Sequence, residues 1–112
     1  MVSIRPGQVT VGGVALDNHL LLAAGILGTT GSSLNRMLSL GAGGVVTKSI
    51  GPYPKDGHAG PCLAVLDDGI LNAMGLPNPS KEFVDEVVPL IKKPVMVSIF
   101  GGNPAEFARV AG

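Results

Sequence analysis

The sequence predicts an α/β fold built on a parallel sheet and opened by a β-hairpin. The run at 20–24 is apolar throughout rather than alternating, which suits a strand buried on both faces, and the stretches at 44–49 and 94–100 read as two further buried strands. Segments with helical spacing follow, at 30–41, at 80–93 and from 103 onward. Strands and helices in this order imply parallel pairing through right-handed crossovers.

The elements follow in turn. Residues 8–16 alternate loosely, with Gly12-Gly13 between VTV and VAL, which predicts a short hairpin with a glycine turn. LLLAA, 20–24, is the first buried strand and stops at Gly25. In the helix over 30–41, Ser32 or Ser33 caps the start, Leu34, Met37 and Leu38 share a face, and Gly41 suits the stop. GVVTKS is the second strand and ends in Lys48 and Ser49. The helix over 80–93 puts Phe83, Val84, Val87, Val88 and Ile91 on one face, with Ser80 as cap and Pro89 kinking or shortening it. PVMVSIF is the third strand, with Pro94 at its start, where proline is tolerated. Asn103-Pro104-Ala105-Glu106 opens the third helix with a cap, a proline at the first position and a glutamate placed for a capping box.

Two stretches depart from a regular small domain. The segment 50–79 holds about 30 residues between strand and helix, and loops that long are usually functional. A hairpin organises it: CLAVL, a turn at Asp67-Asp68-Gly69, then ILN. The last helix reaches Gly112 after about two turns, against a mean of about three. Its stripe of Phe107, Val110 and Ala111 has little helix to carry it, so the expectation is the first part of a larger α/β domain.

Composition removes several function classes. Hydrophobic residues make up 46% of the 112, enough for a core, and 8 basic residues balance 8 acidic ones without a run or stripe. That argues against nucleic acid or an anionic membrane as partner. The 17 glycines and 9 prolines fall between the apolar runs and punctuate a folded chain. MVSIRPGQVTV lacks the apolar core of a signal peptide, and LLLAAGIL is too short to span a bilayer. The single cysteine, Cys62, excludes an internal disulfide. The expectation is a soluble cytoplasmic protein.

In parallel α/β folds function collects at the carboxyl ends of the strands, here Ala24-Gly25, Lys48-Ser49 and 98–102. Lys48 ends a buried strand, so its charge must reach solvent, an acid or a ligand. Asn72, expected at the tip of the loop hairpin, offers donors and an acceptor that suit a planar heterocycle; the plainer local reading is an Asx-type turn residue beside a flexible Gly75. Gly25 and Gly28, between strand and helix, match neither dinucleotide nor Walker spacing. Close backbone packing against a flat cofactor, or simple turn geometry, explains them better than a nucleotide phosphate site. Cys62 fits an inert, partly buried thiol. His58 and Cys62 lack a second ligand pair for zinc. His19 is structural, and Asp67-Asp68 is turn chemistry.

Four stretches together, LLLAAGILGTTGSSLNRMLSLGAGGVVTKSI, GPYPKDGHAGP, DDGILNAMGLPNPS and VMVSIFGG, resemble the class 1 dihydroorotate dehydrogenases, most of all the B-type enzymes of prokaryotes. The likeness runs in order over essentially the whole chain, and the GAG-VVTKS and NAMGLPNP pair is its most specific part. Dihydropyrimidine dehydrogenases share the FMN-domain pattern and are the near alternative.

The resemblance implies a TIM-type (β/α)₈ barrel with FMN on its C-terminal face, oxidising dihydroorotate to orotate in pyrimidine synthesis. Hydride passes to the flavin N5 while a side-chain base takes the C5 proton. By motif, it assigns Ala24, Gly25, Lys48, Ser49 and, less closely, Ser98 to the flavin. It assigns Lys48, Asn72, Ala73, Met74, Gly75 and Leu76 to the pyrimidine, the amide reading the ring edge and backbone N–H groups the carboxylate. Relatives carry Asn-Pro where this chain has Asn18-His19, which is expected to perturb only the way the chain enters its first strand. The family's base is a cysteine in a later Asn/Ser/Cys/Pro motif; Cys62 lies in a different motif and is not assigned that role. Residues 1–112 are therefore expected to supply an N-terminal hairpin and about three β/α units of one FMN-binding barrel domain, which typically needs about 250 residues. Alone, they are expected to be inactive and to oligomerise, pair with the remainder or aggregate. B-type relatives imply a partner subunit with FAD and an iron–sulfur cluster. The non-enzymatic alternative is a short half-barrel assembly module.

Overall fold

The computed structural model describes residues 7–91 and 93–112. The MVSIRP stretch read above for a leader, and Lys92 within the expected 80–93 helix, lie outside them.

A glycine turn opens the fold. Strands β1 (Val9–Val11) and β2 (Val14–Leu16) pair antiparallel with Val11 opposite Val14. Gly12 and Gly13 take φ of 56° and 82°, the pair of positive values that a two-residue hairpin turn with strand-matching twist requires. Leu16, at the end of β2, is buried. A Cβ added to Gly44 would lie 3.0 Å from the Leu16 side chain, so the hairpin is packed against the start of the next sheet.

That sheet is parallel, as expected, in the order β3-β4-β7: β3 (Leu21–Leu22), β4 (Gly44–Val46) and β7 (Val95–Met96). Leu21 stands opposite Gly44 and Val45 opposite Val95. The ladder continues past the regular strands: Thr47 N donates to Met96 O at 2.9 Å, Ile50 N to Ser98 O at 2.9 Å, and Phe100 N to Ile50 O at 2.9 Å. The first strand corrects the expectation of burial on both faces over 20–24. Regular pairing covers two residues, and Leu20 is 63% exposed. Among the described residues only β4 has a strand on each side, and it is β4 that is buried.

Helix α1 (Gly31–Ser39) covers one face. Its cap is Thr30, not Ser32 or Ser33: Thr30 has the extended backbone of a cap and its Oγ1 accepts from Ser33 N at 3.1 Å. Gly41, at φ 110°, ends it, with Gly41 N donating to Leu38 O and Ala42 N to Met37 O, the double bond of a Schellman stop. Leu34 and Leu38 join Val45 and Ile91 in the core, with Leu22, Met37, Val87 and Val95 packed around them. Each such side chain contributes about 1.5–3 kcal/mol on burial.

Helix α2 (Lys81–Val87) passes into a 3-10 turn at Val88–Leu90, the shortening expected from Pro89. Ser80 holds the cap position, yet its hydroxyl donates to Glu82 Oε2 at 2.5 Å instead of capping a backbone N–H. In helix α3 (Pro104–Ala111) the Asn103 cap accepts from Glu106 N at 3.0 Å. The returning Glu106 carboxylate accepts from Gly102 N at 2.7 Å, one residue before the cap.

Strands β5 (Leu63–Leu66) and β6 (Gly69–Asn72) form the hairpin expected in the long loop, turning at Asp67-Asp68. All eight of their residues are exposed. The radius of gyration is 16.0 Å, whereas a compact chain of this length would have about 13 Å. No helix among the described residues is long and apolar enough to cross a membrane. Because Val65 and Ile70 pair on one face of the exposed hairpin, the 112-residue chain should self-associate at micromolar concentration. Light scattering should show the double substitution Val65→Lys and Ile70→Lys reducing that association; a monodisperse parent chain would contradict it.

Candidate functional site

The candidate site is assembled where the turn before α1 is laid across the end of β4. Gly28 makes this possible. A Cβ there would lie 2.7 Å from Lys48 N and 2.8 Å from Val46 O, closer than any side chain tolerates. With none present, Lys48 N donates to Gly28 O at 2.9 Å. Gly28 thus packs closely against the chain's own β4 backbone, a contact the sequence reading did not foresee.

Thr47, fully buried, directs the next residues. Its Oγ1 donates to Lys48 O at 3.1 Å and accepts from Ser98 N at 3.2 Å, so the polar group is satisfied inside the sheet. Alternation then places Ser49 with the third strand: Ser49 Oγ and Ser98 Oγ are 2.7 Å apart. Lys48 is half-buried, and among the described residues its ammonium has neither a hydrogen-bond nor an ion-pair partner. It lines an open cavity of about 330 Å³ with Ile26, Thr29, Met74, Pro77, Asn78 and Pro79.

The far wall comes from the long loop. His58 N donates to Met74 O at 3.0 Å, and a Cβ on Gly75 would lie 2.6 Å from His58 N. Gly75 has φ 75°, so glycine is required there by both space and backbone. Leu76 follows at φ 54°, a value a leucine rarely adopts. Among the described residues the N–H groups of Met74, Gly75 and Leu76 meet no protein acceptor, whereas Ala73 N donates to Cys62 O at 2.8 Å. The Ala73 N–H is therefore committed to the hairpin and is not one of the free donors.

Asn78 was not singled out from the sequence, yet it is the buried polar centre of this loop. Its Oδ1 accepts from Gly51 N and Ser80 N, both at 3.0 Å, and its Nδ2 donates to Leu76 O at 3.2 Å. Its backbone exchanges two bonds with Lys55. The Pro77-Asn78-Pro79 sequence was the available signal: two prolines remove local N–H donors, leaving the amide between them to organise the backbone.

The structure thus brings Lys48 and Met74 to one cavity and Ser49 and Ser98 into contact. Asn72 corrects the expected position: it ends β6 opposite Leu63, at the open base of the hairpin rather than its tip, and does not line the cavity. Ala24 is exposed beside Gly25, which has φ 149°. Cys62 Sγ donates to His58 O at 3.3 Å, and no group of three or more His, Cys, Asp and Glu among the described residues could hold a metal. Asn18, before the first strand, accepts from Leu20 N and donates to Gly41 O, both at 2.8 Å, so the asparagine itself fixes the start of the strand. A second cavity of about 390 Å³, bounded by Ile50, Val84, Val97, Ile99 and Val110, is walled mainly by apolar groups.

The sequence model of the dihydroorotate dehydrogenase family matches residues 7–110. The chain belongs to this family. It is 55% identical to the dihydroorotate dehydrogenase B (NAD(+)) catalytic subunit of Methanocella arvoryzae over 103 residues, covering 89% of this chain and 34% of that protein. Over 109 residues it is 47% identical to the equally named subunit of Pyrococcus horikoshii, covering 93% of this chain and 35% of the relative. The crystal structure of DHODH from Eimeria tenella in complex with ferulenol aligns with TM-score 0.66 at 18% identity, over 88% of this chain and 30% of that one. That likeness shows the fold: a hairpin and three β/α units of a TIM barrel, without closure. The chain spans about a third of the length of these dihydroorotate dehydrogenase relatives.

Because Gly28 lies under the Lys48 backbone, Gly28→Ala should destabilise the chain by about 1–3 kcal/mol. Denaturant unfolding measures this; a change within experimental error would mean that the turn is free to lift off β4.

Proposed function

We propose that residues 1–112 are the N-terminal portion of a single FMN-binding TIM-barrel domain, and that the complete protein oxidises dihydroorotate to orotate in pyrimidine biosynthesis. The supporting observation is the half-buried Lys48 ammonium, without a partner among the described residues, in a largely apolar cavity that it shares with Met74 in a member of this family. The relatives are named for dihydroorotate, which favours it over other reduced pyrimidines.

The residues present suit a flavin. Ile26, Met74, Pro77 and Pro79 offer apolar surface to a flat ring, and Lys48 offers charge to an electron-rich one. Ala24, Gly25, Lys48, Ser49 and Ser98 would hold FMN, which when bound supplies the two-electron acceptor. Lys48 also reaches the pyrimidine, where its charge stabilises negative charge on ring oxygens. Asn72 reads the ring edge. Of the segment 73–76, the free N–H groups of Met74, Gly75 and Leu76 serve the carboxylate, while Ala73 holds their backbone in place through Cys62. Orientation of the ring against the cofactor is this segment's contribution to rate. The proton-accepting base is not assigned to Cys62, whose thiol is bonded to His58 O away from the cavity.

The catalytic-subunit name of the relatives supports a partner subunit, here one that carries FAD and an iron–sulfur cluster. The reading places the protein in the cytoplasm as an oligomer, with no nucleic-acid or membrane partner.

In the full-length enzyme, Asn72→Ala should weaken orotate binding by roughly tenfold, about 1.4 kcal/mol, while flavin content stays near that of the parent. Titration of orotate against the flavin spectrum, with flavin quantified after denaturation, measures both; equal loss of both would mean the loop is only structural. Residues 1–112 alone should neither purify yellow nor turn over dihydroorotate.

A further inference from the structure

We infer that Asn78 is a positioning residue for ligand binding: its amide clamps the beginning and end of the 51–80 loop together and thereby holds the Met74–Leu76 donors toward Lys48. The inference deepens the functional reading above and rests on it for the identity of the ligand.

Four observations lead there. Asn78 is buried, 6% exposed, in a loop whose surface is otherwise largely open. Its Oδ1 joins two backbone N–H groups that lie 27 and 2 residues away, Gly51 and Ser80, and so fastens the exit of the β4 ladder to the start of α2. Its Nδ2 holds the carbonyl of Leu76, one of the two non-glycine residues with positive φ in the described chain; the other is Ser80, whose N–H is also held by Asn78. Backbone of this kind persists only where its surroundings over-determine it, and here one side chain touches both strained residues. Finally, Asn78 lines the same cavity as Lys48 and Met74, so the clamp and the first residue of the segment it holds share a wall.

An amide is the side chain this task needs. The oxygen accepts twice while the nitrogen donates to a carbonyl. Aspartate keeps the two acceptances but turns an oxygen toward Leu76 O, and alanine keeps neither function. The two substitutions therefore separate the clamp from the hold on Leu76.

The test uses the full-length protein as holoenzyme. Asn78→Ala should raise the KM for dihydroorotate roughly tenfold with kcat changed less than about threefold, and with flavin retained. Hydrogen exchange should quicken at Gly51, Lys55 and Ser80 while the amides of β4 and α1 keep their protection. Asn78→Asp should restore protection at Gly51 and Ser80 but only part of the KM. An unchanged KM, or a parallel fall in KM affinity, flavin content and protection throughout the barrel, overturns the positioning role. If the parent protein does not oxidise dihydroorotate, the functional reading falls and the ligand role falls with it. The exchange pattern then judges the clamp independently: unaltered exchange at Gly51 and Ser80 in Asn78→Ala overturns that too.

Discussion

Hydrogen bonding on both sides of β4 is the constraint on which the rest of the structure depends. Its parallel neighbours fix the backbone through Val46, and bonds from Thr47 to Ile50 carry the register onward to the third strand. A strand end is ordinarily free to fray. Here Thr47 places its hydroxyl inside the sheet and satisfies it with Lys48 O and Ser98 N. Leaving such a buried group unpaired would cost about 1–3 kcal/mol, so this short stretch has few alternative conformations. The two residues that follow inherit a defined direction, Ser49 toward Ser98 and Lys48 toward the cavity.

Glycines determine how closely the other elements approach this frame. The turn before α1 reaches the Lys48 backbone because Gly28 has no side chain, and the third strand brings the Phe100 ring against Gly51, where a Cβ would lie 2.6 Å from it. The long loop meets itself at Gly75 and His58 in the same way. Each contact trades backbone entropy for proximity. Of the three, the Gly28 contact lies beside Lys48, which lines the cavity.

Much of the architecture was legible because each element carried its own local chemistry. Gly12-Gly13, Gly41, Pro89 and Asn103 each act as their positions suggested. The failures share a cause: they depended on what lay across space. Thr30, rather than the serines after it, caps α1 because its backbone is extended, which the sequence does not display. The 20–24 run is apolar, yet burial of a strand depends on neighbours on both sides, and among the described residues β3 has one. At the site, Lys48 stood out by its place at a strand end and Met74 only by motif, and the structure brings the two to one cavity. Asn78 was not, because its importance lies in bonding Gly51, distant in sequence, and no periodicity reports such a bond.

The groups around Lys48 give the cavity a positive character. Thr29 stands just before the Thr30 cap of α1, a nine-residue helix with no acidic residue in its first turn, so the positive end of its dipole adjoins the cavity. Lys48 adds a full charge of the same sign, and none of the residues lining the cavity is acidic. Two positive sources without a carboxylate between them leave the cavity electropositive, and its opening to water screens them. An anion placed in the cavity would compensate both at once. A positive, largely apolar setting of this kind suits a flat, negatively charged ligand, which is the ground on which the proposed function assigns Lys48 to one.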